Sequence, residues 1–453
     1  MLFQVSTAEG GVYSAFRATS VGVIMPRKYQ LVTTVLIILV LTVCVVACKL
    51  ESKPGQNTPK DTPSSSEKHT KQSSEIKEGT IMIAESLNSF GEGLFDGLDK
   101  YHDNLIFSPL STYTALSMAY AGAAGRTAQQ IEQTLRNGLR QKIHAVLSQL
   151  QSRLMAINGG DATQLLIANA LWLQEDYAAQ PEFMKICQQS YGSGVKQVDF
   201  GTPELVRSTI NRWTADNTKQ RIKELIQPNQ LTQQTRLVLT NAVYFKGSWQ
   251  FRFDAGDTRE MPFKLSMDDK TAVPTMFREG YYNYGINQSA QILELPYAEH
   301  EQAGFSMMLI LPQKLGSSAP KLLQLAHPFD NLERRLVRVF LPKFKIQSNF
   351  SLKMPLIQLG IQDAFDDGRA DFSGITGSVA NKLAISEVVH NAFVEVNESG
   401  TEAAAASGVI MATKSMLPPE AIDFRVDRPF IFAIRENRTG VVVFWGRVVD
   451  PRK

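Results

Sequence analysis

Leu237-Val238-Leu239-Thr240-Asn241-Ala242-Val243-Tyr244-Phe245 is a run of apolar, β-branched and aromatic residues broken only by Thr240 and Asn241, and it ends in Lys246-Gly247-Ser248-Trp249. A short apolar run of this composition reads as a buried strand. Working outward, comparable runs occupy residues 164–173, 305–311, 337–341, 393–396, 430–434 and 441–445. The last two flank Glu436-Asn437-Arg438-Thr439-Gly440, a good turn between neighbouring strands. On the N-terminal side, residues 81–98 place apolar side chains at helical spacing, and residues 127–135 read as a helix opening after Gly125-Arg126. Helices come early and strands late, without βαβ alternation or a repeat. That order argues for an α+β domain over residues 81–453, and against a doubly wound or barrel fold.

Composition narrows the function classes. The 453 residues are 43% hydrophobic and 20% charged, which is a globular balance with ample material for a core. A net charge of +3 shows no strong basic excess, so no nucleic-acid partner is expected. The three cysteines are Cys44, Cys48 and Cys187, too few in the body for a disulfide framework or a Cys-rich metal site. The six histidines (His69, His102, His144, His300, His327 and His390) form no H-E-x-x-H pair, and neither a phosphate loop nor a G-x-S-x-G elbow occurs. A dispersed hydrolase triad stays open, because its members converge in space and not in order. No cofactor or metal is expected.

The N-terminus reads as an export signal. Met25-Pro26-Arg27-Lys28-Tyr29-Gln30 is a short basic segment, and residues 31–46 follow as a nearly continuous apolar run. Residues 1–24 have neither property and read as an over-extended start. The run closes on Val45-Val46-Ala47-Cys48, which resembles the lipobox of bacterial lipoproteins. That resemblance implies cleavage of residues 25–47 and lipidation of Cys48, with acyl chains anchoring the protein to a membrane. An uncleaved signal anchor is the alternative; either places the rest of the chain outside the cytoplasm. Residues 48–80 are rich in Ser, Thr, Lys, Gln and Pro and lack aromatics, so they read as a flexible tether.

One further stretch stands out: Glu395-Val396-Asn397-Glu398-Ser399-Gly400-Thr401-Glu402-Ala403-Ala404-Ala405-Ala406-Ser407-Gly408-Val409. A strand-like half meets a glycine and four alanines. The alanines favour a helix by propensity, yet small side chains also suit a segment that must enter a crowded site as a strand. Local pattern leaves both open.

Across residues 81–453 the chain resembles a serpin. Asn104-Leu105-Ile106-Phe107-Ser108-Pro109-Leu110-Ser111, Thr240 to Trp249, Phe340-Leu341-Pro342-Lys343-Phe344, Asp371-Phe372-Ser373-Gly374-Ile375, Ile385-Ser386-Glu387-Val388-Val389-His390, Asp427-Arg428-Pro429-Phe430 and Phe444-Trp445-Gly446-Arg447 match family blocks in family order. The resemblance implies three β-sheets, eight or nine helices, an exposed reactive-centre loop and a monomer. It implies a polar cluster of Ser108, Ser111, Asn241 and His390 beneath the opening point of the central sheet, with His390 structural. It places Trp249, Lys343 and Glu398 where the loop first enters that sheet, Lys343 and Glu398 as an ion pair. It makes Glu398, Gly400, Thr401, Glu402, Ala403, Ala404, Ala405 and Ala406 the hinge of an inhibitor that traps a serine protease by inserting its cleaved loop. Ser399 departs mildly, since an acidic residue is common there. Counting 14 residues on from Gly400 gives Lys414-Ser415 as the attacked bond, which implies a trypsin-like target; Met416 or Leu417 is the runner-up. A non-inhibitory binding or structural serpin is the alternative function.

Overall fold

The structure, a computed structural model, describes residues 65–98, 103–136, 138–159, 162–192, 195–298, 304–316, 332–401 and 420–453. Cys48, the export signal and the loop residues Glu402, Ala403 to Ala406, Lys414 and Ser415 lie outside them. Eight α-helices occur among the described residues: α1 (Ser65–Leu98), α2 (Pro109–Tyr120), α3 (Gly125–Thr134), α4 (Ile143–Met155), α5 (Pro181–Tyr191), α6 (Pro203–Asn217), α7 (Lys353–Gln358) and α8 (Ser373–Thr376). In α1, Ile83, Leu87, Phe90, Leu94 and Leu98 repeat every three or four residues, and all are buried. The helix begins at Ser65, so it takes in residues 65–80 that composition assigns to the tether. That part has no apolar stripe, but Glu67, Lys68, Lys71, Gln72 and Glu75 are good helix formers, with opposite charges four apart at Glu67/Lys71 and Lys71/Glu75.

Two hydrogen-bonded sheets hold the strands. The first, of six, comprises β2 (Thr163–Gln174), β3 (Val195–Val198), β4 (Leu237–Ser248), β10 (Phe344–Ser351), β11 (Glu387–Asn397) and β12 (Gly400–Thr401), in the order β10-β11-β12-β4-β2-β3. The second, of nine, comprises β1 (Leu105–Phe107), β5 (Arg259–Lys264), β6 (Lys270–Ile286), β7 (Ala290–Pro296), β8 (Phe305–Pro312), β9 (Glu333–Pro342), β13 (Ile422–Arg425), β14 (Phe430–Glu436) and β15 (Val442–Val448). The expectation was three sheets. Two of them are joined here because β6 is 17 residues long: it pairs with β5, then with β9 over most of its length, and its last four residues pair with β7.

All but one of the twelve residues of β4 are buried, which requires cover on both faces of its sheet. Beneath lies α2, capped by Ser108, with Pro109 opening it and every residue buried. Above lies α6, whose Val206 and Ile210 join Trp172 of β2 and Val238 of β4 in a second apolar cluster.

Candidate functional site

The site is the seam between β4 and β11. Residues 387–393 pair in parallel with residues 238–244, so these two strands touch directly along most of their length. At one end they part, and only Gly400 and Thr401 sit between them: Thr401 opposite Val396 and Gly247, Gly400 opposite Asn397 and Ser248. The hinge thus begins as a strand, the second of the two conformations that local pattern leaves open for this stretch. Gly400 has φ +148°, and a Cβ built on it meets the Gly247 carbonyl oxygen at 2.0 Å and Ser248 Cα at 2.7 Å. Both obstacles are backbone, so only glycine fits.

Register explains the polar cluster beneath the seam. Asn169 on β2, Asn241 on β4 and His390 on β11 are direct neighbours on three adjacent strands, and all three face α2. His390 Nε2 accepts from the Ser108 N–H at 3.2 Å, which leaves Nδ1 to donate to Asn241 Oδ1. Asn241 Nδ2 donates to Ser111 Oγ at 2.6 Å and to Asn169 Oδ1 at 2.9 Å. Ser111 Oγ donates to Asn169 Oδ1 at 2.7 Å, and Asn169 Nδ2 returns a bond to the Ser111 carbonyl at 3.1 Å. Ser108 Oγ accepts from the Ser111 N–H. The four expected residues converge, and Asn169 joins them. Its only sequence signal is a lone amide inside the apolar run Leu165-Leu166-Ile167-Ala168-Asn169-Ala170-Leu171.

Burial pushes the His390 imidazole down to about 3, and that of His144, against Tyr191, to about 4. Both are depressed below the unfolded value, so each stabilises the fold fully above pH 6.5. The contribution is lost as pH falls, because the unfolded chain then binds protons that the native state refuses. Between pH 6.5 and 5 the urea midpoint should drop, with a slope approaching 1.4 kcal/mol per pH unit for each histidine. His390→Gln should remove about half of that slope; a full slope in the variant would contradict this assignment.

At the open end of the seam, Trp249 Nε1 donates to the Asn397 carbonyl at 2.9 Å, and its N–H to the Ser399 carbonyl at 3.0 Å. Its indole stacks on Tyr297 at 4.6 Å between centroids, and Tyr297 Oη lies 2.7 Å from Thr401 Oγ1. Lys343 Nζ is 3.1 Å from Glu398 Oε2, and Thr258 Oγ1 donates to Glu398 Oε1 at 2.9 Å. Burial raises the Glu398 carboxyl, but bonds from its own N–H, Lys343 and Thr258 outweigh that and hold it below the usual carboxylate range. Trp249, Lys343 and Glu398 therefore meet around the start of the hinge. Tyr297 and Thr258 complete the group and were not read from sequence.

This geometry fits the comparisons with known proteins. A family model described as Serpin (serine protease inhibitor) matches residues 85–451. An uncharacterised serpin-like protein of Methanosarcina acetivorans is 36% identical over 378 residues, 82% of this chain and 86% of its own. Human leukocyte elastase inhibitor is 37% identical over 363 residues, 77% of this chain and 93% of its own. Among solved structures, Serpin48 of the insect Tenebrio molitor, described as a highly specific serpin, has a TM-score of 0.72 at 33% identity, covering 81% of this chain and 98% of that one. Uncleaved ovalbumin has a TM-score of 0.69 at 29% identity, over 82% and 99%.

Proposed function

The chain belongs to the serpin family of non-catalytic protease inhibitors, and on that premise we propose that it is a suicide inhibitor of trypsin-like serine proteases. The protease would attack Lys414-Ser415, and the acylated loop would then insert along the β4–β11 seam with the enzyme attached. One observation carries this reading: Gly400 and Thr401 already lie between β4 and β11, paired to both. An incoming strand needs only to extend a ladder whose first rungs exist. The residues that follow, Glu402-Ala403-Ala404-Ala405-Ala406, offer little bulk to obstruct it.

Lys414 supports the trypsin-like target. It is the only Lys or Arg between Gly400 and Ala421, and an ammonium group suits a deep pocket with a carboxylate at its base. Incubation with a protease panel, read by denaturing electrophoresis and by the mass of the released peptide, reports both trapping and the attacked bond. Lys414→Ala should abolish covalent complex with trypsin while sparing any complex with a chymotrypsin-like enzyme. A variant that still traps trypsin at the wild-type rate would rule out Lys414, and cleavage after Met416 or Leu417 would then be the reading.

The same proposal places the protein outside the cytoplasm, anchored through lipidated Cys48. The ordered Arg27-Lys28, apolar residues 31–46 and Ala47-Cys48 support it. Intact-mass analysis of the membrane fraction should find an acylated N-terminal cysteine; an N-terminus at Met25 would favour the signal anchor.

A further inference from the structure

In the nine-stranded sheet, the closed end of the β5–β6 hairpin sets two like charges face to face. Lys264 ends β5, Lys270 opens β6, and register makes them direct partners. Lysines directly opposed in an antiparallel pair repel and cost the fold stability. The neighbouring side chains add to the positive charge. Arg428, in the stretch between β13 and β14, has a side chain only 15% exposed; its Nε donates to the Pro312 carbonyl at 2.8 Å and its Nη1 to Asp427 Oδ1. Lys264 Nζ lies 3.2 Å from Asp427 Oδ2. One carboxylate therefore serves two cations. Arg428 Nη2 and the Lys270 ammonium have no partner among the described residues.

Lys264, Lys270 and Arg428 line a cavity of about 300 Å³, whose wall Met267, Gln313 and Leu315 complete. Among the described residues no carboxylate lines it: Asp427, and Asp268 and Asp269 of the hairpin turn, all stand outside. Backbone bonds hold the walls in place. The Lys264 N–H donates to the Asp427 carbonyl at 2.8 Å, the Leu265 N–H to the Asp269 carbonyl at 2.9 Å, and the Gln313 N–H to the Ser289 carbonyl at 2.8 Å. β5 is paired on one side only, and edge strands commonly carry lysine to repel other strands. That purpose accounts for either lysine singly. It requires neither a cavity nor a mostly buried guanidinium in its wall.

We propose that this cavity binds a phosphate monoester carried on a small body, no larger than a single ring. Three cations against one carboxylate leave an excess of two positive charges. A phosphate monoester carries close to two negative charges at neutral pH, which matches that excess. A sulfate monoester or a phosphodiester carries only one and leaves half of it unanswered. The terminal phosphate oxygens accept charge-assisted bonds from Lys264, Lys270 and Arg428 Nη2, while Met267 and Leu315 offer apolar contact to the body of the ester. The volume sits at the small end of ligand pockets, which sets the size of that body. The site shares no residue with the β4–β11 seam, so it stands whether or not the protein traps a protease.

Calorimetric titration of the full protein with phenyl phosphate, in about 0.15 M salt, should show saturable binding at one site. Phenyl sulfate has the same shape and half the charge, and should bind about tenfold more weakly. Lys270→Gln should weaken phenyl phosphate about tenfold as well. Lys270→Glu should abolish binding yet raise the melting temperature of the ligand-free protein by about one degree, because the new carboxylate pairs with Lys264 across the hairpin. A lowered melting temperature would mark Lys270 as structural and overturn the proposal. So would silence toward phenyl phosphate at millimolar concentration, equal affinity for phenyl sulfate, or wild-type affinity in Lys270→Gln. Flotation with vesicles containing phosphatidic acid, a phosphate monoester on a lipid, identifies the source once the site is upheld. Flotation that Lys270→Gln abolishes assigns a membrane-borne ester; flotation that the substitution leaves unchanged assigns a soluble one.

Discussion

Protein cleaved within its loop should unfold tens of degrees above the intact protein. In the intact chain, β12 holds two residues, and β4 and β11 pair directly over the seven positions 387–393 and 238–244. Driving the loop down the seam exchanges that one parallel ladder for two antiparallel ladders. Each added backbone bond contributes a net of about 1 kcal/mol. Ordering the inserted segment costs about 1–2 kcal/mol per residue, offset by bonds on both of its sides and by the apolar area it covers. On the same proposal the intact fold would be kept from that state because residues 422–425, which follow the loop, are held in β13, paired to β9 in the other sheet. On the proposed insertion mechanism it would therefore be trapped kinetically, above the lowest free energy available to its own sequence. Melting curves of intact and loop-cleaved protein, followed by circular dichroism, test this. Coincident transitions would mean that the cut loop stays outside the sheet, and the non-inhibitory alternative would then stand.

What could be read from sequence depends on how local each signal is. Residues 237–245 announce β4 because a strand buried on both faces is continuously apolar. α2 is silent to the same approach: all twelve of its residues are buried, so its periodicity carries no polar face. The polar helical start of α1 is silent for the opposite reason. The polar cluster shows the limit most clearly. Asn241 and His390 are 149 residues apart and meet only because β4 and β11 are parallel neighbours, a topological fact with no local trace. Family resemblance supplied that pair; it did not supply Asn169, which register alone places beside Asn241. Tyr297 carries no local signal of its own, because an aromatic at a strand end is usually core. Its role appears only when its hydroxyl is found against Thr401.

Thr401→Arg should turn the inhibitor into a substrate. Thr401 is fully buried, bonded through Oγ1 to Tyr297, and flanked by Val396 and Gly247. An arginine there must bury a guanidinium beside the stacked rings of Tyr297 and Trp249, and the Glu398 carboxylate is already held by Lys343 and Thr258. An unpaired buried charge costs several kcal/mol, so the hinge should withdraw to solvent and leave the rest of the fold intact. The cost returns in full when the cleaved loop tries to insert. Continuing the observed register down the seam shows how demanding that path is. Three residues past Thr401, Ala404 falls opposite both Tyr244 and Phe393, whose rings now stack across the seam at 6.4 Å. Six residues past, Ser407 falls opposite both Asn241 and His390, where a hydroxyl can take up the bond that those two must surrender. Neither step is reached if Thr401 cannot lead. A barrier raised by about 3 kcal/mol slows insertion on the order of a hundredfold, long enough for the protease to hydrolyse its acyl bond and leave. Denaturing electrophoresis with trypsin should show cleaved T401R and almost no complex, whereas Thr401→Ser, which keeps the hydroxyl, should trap as wild type does. Complex formed by T401R at wild-type stoichiometry would mean that the loop does not enter the sheet through the gap at Thr401.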